Sequence, residues 1–232
     1  KHLDETSEID YDTLTPDQFE DPDFDEDDFT IGGRRRIHLA HLDLPRWLKQ
    51  VRDDRTQLQF LLEKTQSVTA KRDGKLAELK NLIEAKVTHP TTNRDGKANR
   101  KVLVFTAFAD TARYLYEHLG PWARQNLAIH TALVCGDGTN ASSLGSSDYD
   151  DILTNFAPIA KRRPEQLVHF TNQKEEIDLL IATDCISEGQ NLQDCDLLIN
   201  YDIHWNPVRI IQRFGRIDRI GSRNDSVQLV NF

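Results

Sequence analysis

Residues 179–192, LLIATDCISEGQNL, are the most informative segment of the sequence about the fold. The first four residues are apolar, which is typical of a strand buried on both faces of a parallel sheet. The strand then runs into hydroxyl, carboxylate and glycine residues, and functional groups in open parallel sheets gather where strands end. Thr183 and Ser187 can donate to phosphate oxygens, and Gly189 lets backbone N–H groups approach a ligand closely. Alone, the segment fits a ligand-binding edge and a simple strand-to-helix turn equally well.

Strand and helix patterns alternate along the rest of the chain. Residues 102–105 form a short apolar run, followed by a helical pattern that Gly120-Pro121 is expected to end. Further strand candidates are residues 128–134, 179–182, 197–201 and 227–230, with helical stretches around residues 149–156 and 208–219. Alternation of this kind predicts an α/β domain in which helices flank both faces of a parallel sheet.

Residues 206–221 combine helix signals with several basic side chains. Asn206 is suited to cap a helix, and Pro207 is suited to its first position. If this helix continues to Gly221, three polar residues share one face, namely Gln212, Arg216 and Arg219. Three apolar residues keep the same spacing on another face and can bury against the sheet, namely Ile210, Phe214 and Ile217.

The two arginines on the polar face are candidates for phosphate recognition. A guanidinium group is permanently charged, and its planar fork matches phosphate oxygens. Arg216 and Arg219 are therefore predicted to contact a phosphate. A solvated basic face, or one that binds phosphates without specificity, is the alternative interpretation.

The formal net charge of −9 is concentrated at the start of the 232-residue chain. Residues 1–30 contain 13 acidic side chains and one basic side chain, so the remainder has 25 acidic and 28 basic groups. Because like charges oppose compaction, residues 1–36 are expected to form a flexible acidic segment. It is interpreted as a solvated linker or as an arm that competes with nucleic acid for a basic groove.

Cysteine and hydropathy patterns indicate a cytoplasmic protein. The three cysteines form no CxxC pair and no Cys/His cluster, so no metal site is predicted. No apolar stretch approaches the roughly 18 residues of a membrane span, and the sequence does not start with a signal-peptide pattern. No membrane partner is therefore expected.

Two helices are predicted before the alternating region. Asp43 and Pro45 suit the start of the first, and the second follows Thr69 and ends before Pro90. We assign residues 37–90 to a helical lead-in and residues 91–232 to the α/β domain. The last strand candidate ends almost at the terminus, so this domain is expected to be incomplete there.

Four segments resemble, in order, helicase motifs IV, V, Va and VI. They are KVLVFT at 101–106 with Ala109-Asp110-Thr111, residues 182–192, NYDIHWNP at 200–207, and QRFGRIDRIG at 212–221. The pattern Trp-Asn-Pro followed by QRxGRxxRxG is similar to the Swi/Snf branch of helicase superfamily II, especially its bacterial members related to the RNA-polymerase-recycling ATPase. The resemblance covers roughly residues 100–232 and implies a RecA-like C-terminal helicase domain. The helical lead-in is also similar to the stretch that precedes this domain in such proteins.

The resemblance implies roles for individual residues in ATP binding. Arg216 and Arg219 would contact the ATP γ-phosphate across a domain cleft as arginine fingers, and Gln212 would help to position their helix. Gly189 and Asn191 would lie near the nucleotide ribose.

It also implies a nucleic-acid interface. Thr106, Thr183 and Ser187 would touch the nucleic-acid backbone. Glu188 departs from the Arg or Gly found at that position in several related branches. Members of the Swi/Snf branch usually track double-stranded DNA by its backbone, without reading sequence, so double-stranded DNA is the expected nucleic acid and RNA polymerase a further partner.

The sequence contains no GxxxxGK[ST] loop, and no DExx motif follows an apolar strand pattern in it. ATP with Mg²⁺ would therefore be held mainly by an N-terminal RecA-like domain of the same protein, and this chain alone is expected not to hydrolyse ATP. The implied function is the C-terminal half of an ATP-dependent helicase or translocase motor. The alternative is a non-hydrolysing RecA-like binding module whose Arg face holds a partner or an anionic ligand.

Overall fold

A computed structural model describes residues 30–31, 37–38, 42–66, 68–163, 175–186, 189–203 and 206–232. Most of the predicted acidic segment, residues 1–36, lies outside these ranges, as does Ser187. The chain divides into two compact units, Lys1–Val68 and Thr69–Phe232.

The first unit contains a short strand pair and one long helix. Strands β1 (Thr30–Ile31) and β2 (Ile37–His38) are antiparallel. Helix α1 spans Leu44–Gln66, and the Asp43 carboxylate accepts a hydrogen bond from the Arg46 N–H at 3.3 Å. The predicted capping of this helix by Asp43 is therefore confirmed.

The second unit is built on a six-stranded sheet with the order β10-β9-β5-β8-β6-β7. Its strands are β5 (Val102–Phe105), β6 (His130–Val134), β7 (Ala141–Ser142), β8 (Ile177–Ala182), β9 (Leu197–Asn200) and β10 (Gln228–Asn231). All neighbours are parallel except β7, which is antiparallel to β6. A separate antiparallel pair, β3 (Thr91–Thr92) and β4 (Ala98–Asn99), precedes β5.

Helices cover both faces of this sheet, so the predicted α/β architecture is confirmed. The remaining helices are α2 (Gly74–Thr88), α3 (Ala109–Leu127), α4 (Tyr149–Phe156) and α5 (Pro207–Phe214). Side chains alternate along β5: Val102 and Val104 pack with α2 and α3, whereas Leu103 and Phe105 pack with α4. This is the two-residue period of a strand with an apolar core on each side.

Helix α2 belongs to the same compact unit as the sheet. Its apolar stripe is buried, with Leu76, Leu79 and Ile83 almost inaccessible to solvent, and the helix packs against α3. It ends at Thr88, before Pro90, as predicted. The division between the compact units falls at Val68 and Thr69, whereas the sequence-based division placed this helix in the lead-in, residues 37–90.

Helix α3 does not end at Gly120-Pro121, as the sequence predicted, but continues to Leu127. Proline removes one backbone hydrogen bond from a helix interior and crowds the preceding turn. Leu119 and Ala123, on either side of Pro121, are fully buried in the same core. Burial of both halves of the helix offsets the local cost of the proline.

The Asp73 carboxylate is expected to stabilise the start of α2. It accepts hydrogen bonds from the Leu76 N–H at 2.9 Å and from the Tyr114 hydroxyl at 2.8 Å. Burial acts to raise the pKa of Asp73, but hydrogen bonds from Leu76, Tyr114 and Lys75 outweigh it and the pKa is lowered. Asp73→Ala should cost about 1 kcal/mol of unfolding free energy at neutral pH.

The pH dependence provides the check. A lowered folded-state pKa contributes stability above the unfolded pKa and loses it as pH falls through the folded value. Urea unfolding of wild type and Asp73→Ala should therefore differ most at neutral pH, and the difference should narrow below about pH 4. If the unfolding free energies of wild type and Asp73→Ala differ by the same amount at every pH, this role for the ionised carboxylate is contradicted.

Candidate functional site

The carboxyl ends of β5, β8 and β9 meet at one edge of the sheet, called here the carboxyl edge and marked by Thr106, Thr183 and Asp202. Thr106 follows β5, and its N–H donates to the Ala182 carbonyl at the end of β8 (3.0 Å). The Thr106 hydroxyl donates to the Asp202 carboxylate. Two of the predicted nucleic-acid contacts therefore lie at the same edge, while Ser187 is outside the described residues.

The hydroxyl groups of both threonines are used within the protein. Thr106 is fully buried, and Thr183 is almost so. The Thr183 hydroxyl accepts a hydrogen bond from the Gly136 N–H at 3.0 Å, joining the loop after β6 to the end of β8. A Cβ added at Gly136 would lie 3.3 Å from the Cys185 Cβ, so glycine permits this close approach. In this conformation both threonines position loops.

Arg213 lies at the centre of the carboxyl edge and is fully buried. Its Nε and Nη2 donate to the two carboxylate oxygens of Asp184, at 2.6 and 2.9 Å. Its Nη1 donates to Asn200 Oδ1 at 3.0 Å, and the guanidinium lies 5.2 Å from the centre of the Phe105 ring. A bidentate carboxylate pair fixes the orientation of a guanidinium group. Arg213 thus ties α5 to the ends of β5, β8 and β9.

The sequence interpretation did not single out Arg213. A signal was present, because residues 210, 213 and 217 recur at helical spacing on the predicted apolar face. A basic residue on a face that buries against a sheet needs an internal anion, and Asp184 is that anion.

Helix α5 begins as predicted but ends earlier. The Asn206 side chain accepts a hydrogen bond from the Val208 N–H at 3.0 Å, and Pro207 is the first helical residue. The helix stops at Phe214, not at Gly221. After it, the N–H of Arg216 bonds to the Arg213 carbonyl and that of Ile217 to the Phe214 carbonyl. These two bonds span three residues, as in a 3-10 helix, and the Asp218 N–H also bonds to the Phe214 carbonyl at 3.1 Å, so the chain turns tightly after the helix.

The predicted polar face is therefore not a continuous helical face. Gln212 lies in α5 and is half-buried, whereas Arg216 lies in the following turn and is buried. Arg219 is exposed, and its Nε donates to the Gly215 carbonyl at 3.1 Å. Ile217 packs in the core as predicted, whereas Ile210 and Phe214 are only partly buried.

The segment 189–193 lies directly beside this turn. The Leu192 N–H donates to the Arg216 carbonyl at 3.0 Å. Gly189 has a positive φ of 74°, a conformation that favours glycine. Within the described residues, three buried carboxamide oxygens in these two segments lack a hydrogen-bond partner, namely those of Asn191, Gln193 and Gln212. Buried acceptors of this kind are uncommon and are often satisfied by a ligand or water.

Helix α2 also reaches the carboxyl edge. The Lys75 ammonium lies 3.4 Å from the Asp202 carboxylate and 4.1 Å from the centre of the Tyr201 ring. Burial raises the pKa of Tyr201, with further contributions from nearby acidic groups. Burial and the Asp73 carboxylate raise the pKa of Tyr114 to about 12, so both phenols stay neutral at physiological pH.

Residues 74–221, from the start of α2 to the turn beyond α5, match the helicase conserved C-terminal domain family. The chain belongs to this family. The match includes the carboxyl edge, Arg213 and both segments that carry unpaired carboxamide oxygens. It confirms the predicted helicase C-terminal domain, and the parallel sheet has the α/β architecture expected of a RecA-like domain.

Relatives of the chain are ATP-dependent helicases and a polymerase-associated protein. An uncharacterised ATP-dependent helicase, YqhH of Bacillus subtilis, is 54% identical over 50 residues, which are 22% of this chain and 9% of YqhH. The RNA polymerase-associated protein RapA of Pectobacterium atrosepticum is 31% identical over 65% of this chain and 13% of its own length. The putative ATP-dependent DNA helicase fml2 of Schizosaccharomyces pombe is 29% identical over 61% of this chain and 16% of its own length.

The crystal structure of the C-terminal part of the Fun30 ATPase domain is similar at a TM-score of 0.44, with 19% identity over 78% of this chain and 48% of that chain. Of YqhH, RapA and fml2, the chain matches less than a fifth of the length of each. In the described ranges, no helix combines the length and apolar character that a membrane crossing requires.

Proposed function

We propose that this chain is the C-terminal half of the motor of an ATP-dependent DNA helicase or translocase of the Swi/Snf type. Its family membership and its ATP-dependent helicase relatives support this function. The observation that carries the proposal is the hydrogen bond from the Leu192 N–H to the Arg216 carbonyl. It joins the two segments that, by resemblance, bind the nucleotide.

The two joined segments have the chemistry that one side of a nucleotide needs. Arg216 and Arg219 contact the γ-phosphate, since guanidinium groups match phosphate oxygens. Gly189 and Asn191 lie near the ribose, whose hydroxyl groups can donate to the unpaired Asn191 Oδ1. Gln212 contributes a second unpaired acceptor beside the arginine turn. The amide oxygens thus suit a sugar and the arginines suit a phosphate.

The carboxyl edge provides the nucleic-acid side of the proposal. Of the three residues predicted to contact the backbone of double-stranded DNA, Ser187 is the one proposed to do so directly. Thr106 and Thr183 are buried and fix the loops at this edge. Backbone N–H groups and hydroxyls contact phosphates without reading bases, which suits a motor that moves along any sequence. RNA polymerase is a further proposed partner, because RapA is by name associated with it.

The motor works by closure on a partner lobe. ATP with Mg²⁺ is held mainly by the N-terminal RecA-like domain of the same protein, and closure brings Arg216 and Arg219 to its γ-phosphate. The same closure shifts the loops at the carboxyl edge, which couples hydrolysis to movement on DNA. A passive module that holds anions by an exposed arginine face is less well supported, because Arg216 of that face is buried and the face is not a continuous helical one.

The full-length protein tests the proposal. We expect double-stranded DNA to stimulate its ATPase activity. We also expect the protein to displace the third strand of a DNA triplex, and to do so only when ATP is present. Single-stranded DNA and RNA of equal length are the comparison substrates. An ATPase rate that no nucleic acid changes would exclude the motor, and stimulation by RNA alone would exclude the DNA assignment.

A further inference from the structure

A pocket of about 650 Å³ opens at the amino ends of the parallel strands. Lys101 precedes β5, Glu176 precedes β8, Asp194 lies shortly before β9, and Asn224 lies shortly before β10. Because these four strands are parallel, the pocket is at the opposite end of the sheet from the carboxyl edge. A four-residue strand is about 13 Å long, so one ligand of ordinary size does not reach both ends.

The lining of this amino-end pocket is positively charged. Five basic residues line it, namely Lys97, Lys101, Arg162, Arg163 and Arg223. Two carboxylates of the lining, Glu176 and Asp194, oppose them, as does Asp95, which pairs with Arg223. Lys101 is paired with Glu176 at 2.8 Å. Five basic and three acidic groups leave a formal charge of +2. The chain as a whole has a charge of −9, so this concentration of positive charge is local.

Hydrogen bonds hold the walls of the pocket in place. The Asp194 carboxylate accepts from the N–H groups of Ile159 and Ala160, at 2.7 and 2.9 Å. On the floor, the Asn99 amide donates to Asn224 Oδ1 at 2.9 Å, and Asn224 donates to the Gln193 carbonyl at 3.0 Å. A cavity with walls fixed before binding loses little entropy when a ligand enters.

Arg162 occupies a backbone conformation that is unfavourable for it. Its φ is +53°, and the Arg163 N–H donates to the Pro158 carbonyl at 2.8 Å across this turn. Glycine is the usual residue at such a left-handed position, because it has no Cβ to clash. An arginine here places a guanidinium group in the pocket lining at a cost in stability that glycine would avoid.

We propose that the amino-end pocket binds an acidic, extended polypeptide segment of a partner protein. Carboxylates of the segment bind Lys97 and Arg162, and an apolar side chain between them packs on Ile159, which is 43% exposed. The Asp194 carboxylate, which has acceptor capacity beyond its two backbone bonds, can accept from a peptide N–H group. The mixed lining of cations, amides and apolar surface suits a peptide.

Other anions fit the pocket less well. A free polyphosphate would make no use of the apolar surface of Ala98 and Ile159. A rigid nucleic-acid duplex cannot enter a pocket of about 650 Å³, so its phosphates would not reach the floor, where Lys101 is 8% exposed. A flexible chain with single carboxylates can reach both the floor and the rim.

The test is fluorescence anisotropy on the whole chain with a short labelled peptide in which Asp and Glu flank a central Leu-Phe pair. We expect binding that weakens with added salt and that is lost when the acids are changed to Asn and Gln. The double variant Lys97→Gln/Arg162→Gln should bind roughly tenfold or more weakly. The matched control Lys71→Gln/Arg72→Gln, which removes two exposed charges outside the pocket, should bind like wild type.

Arg162→Gly separates binding from folding. It should weaken peptide binding while Tm stays at or above that of Arg162→Gln, because glycine removes the left-handed strain that glutamine retains. The proposal is overturned if the peptide does not bind, or if the control variant weakens binding as much as the pocket variant. It is also overturned if changing Leu-Phe to Ser-Ser leaves affinity unchanged while inorganic tripolyphosphate displaces the peptide, since the pocket would then be a simple anion site.

Discussion

Alanine in place of Arg216 or Arg219 is expected to lower the DNA-stimulated ATPase rate of the full-length protein by roughly 10³-fold or more. An arginine that meets the transferring phosphoryl group stabilises the transition state by about 4–7 kcal/mol. Because this contact is made mainly in the transition state, kcat should fall more than KM changes. Steady-state kinetics at saturating DNA, with ATP varied, provide the measurement.

The two arginines should respond differently to a conservative change. Arg216 is buried beside the Leu192 backbone, whereas Arg219 is exposed with its Nε bonded to the Gly215 carbonyl. Lysine retains the charge but not the planar fork, so Arg216→Lys should recover little activity. Arg219→Lys should recover more, because an exposed side chain can adjust its position.

Arg94→Ala is the matched control. Arg94 is an exposed arginine whose Nε contacts Asp225 at 2.8 Å, and it has no place in the proposed ATP or DNA contacts. The ATPase rate of the Arg94→Ala variant should equal that of wild type. Thermal unfolding of each variant shows whether lost activity reflects lost structure. Near-normal kcat for both Arg216→Ala and Arg219→Ala, in folded protein, would remove the basis of the arginine-finger assignment.

The central strands could be predicted from sequence because each is a continuous apolar run. Residues of β5 and β9 are buried on both faces, so their composition alone distinguishes them from loops. The two-residue strands β3, β4 and β7 could not be predicted. They fall outside every strand that the sequence predicted, and a pair of residues is too short to show a period.

Helix ends were harder to predict than helix positions. Pro121 was expected to end α3, but burial of Leu119 and Ala123 keeps both halves in one core. Gly215 was expected to lie within a longer helix, but α5 ends before it, and the Arg216 carbonyl bonds to Leu192. In both cases a contact distant in sequence decides the outcome, and no local pattern contains it.

The centre of the candidate site was missed for the same reason. Arg213 is adjacent in sequence to Gln212, yet its partners Asp184 and Asn200 lie 29 and 13 residues away. Only the pairing of β5 with both β8 and β9 brings these groups together. The sequence indicated which segments form the site, and the sheet order determines which side chains meet within it.

Replacement of Arg213 is expected to have a large effect on the stability of the fold. Arg213→Met is expected to lower the free energy of unfolding by about 3–5 kcal/mol. Methionine fills similar space but leaves the Asp184 carboxylate and Asn200 Oδ1 without their donor, and it removes the guanidinium from the Phe105 ring. Asn200 is fully buried and would lack a compensating bond, whereas the Asp184 side chain is 25% exposed and regains part of its hydration, which favours the lower end of this range. Equilibrium urea unfolding at neutral pH measures the loss.

A double-mutant cycle shows whether the pair itself is responsible. Asp184→Asn should recover part of the stability lost in Arg213→Met, because the double variant no longer contains an unpaired carboxylate at this position. Arg223→Ala breaks the surface pair with Asp95 and should cost only about 0–1 kcal/mol, since both groups stay solvated. If Arg213→Met costs no more than Arg223→Ala, Arg213 is not what ties α5 to the sheet. In that case the position of Arg216 must depend on the Leu192 hydrogen bond and the packing of Ile217.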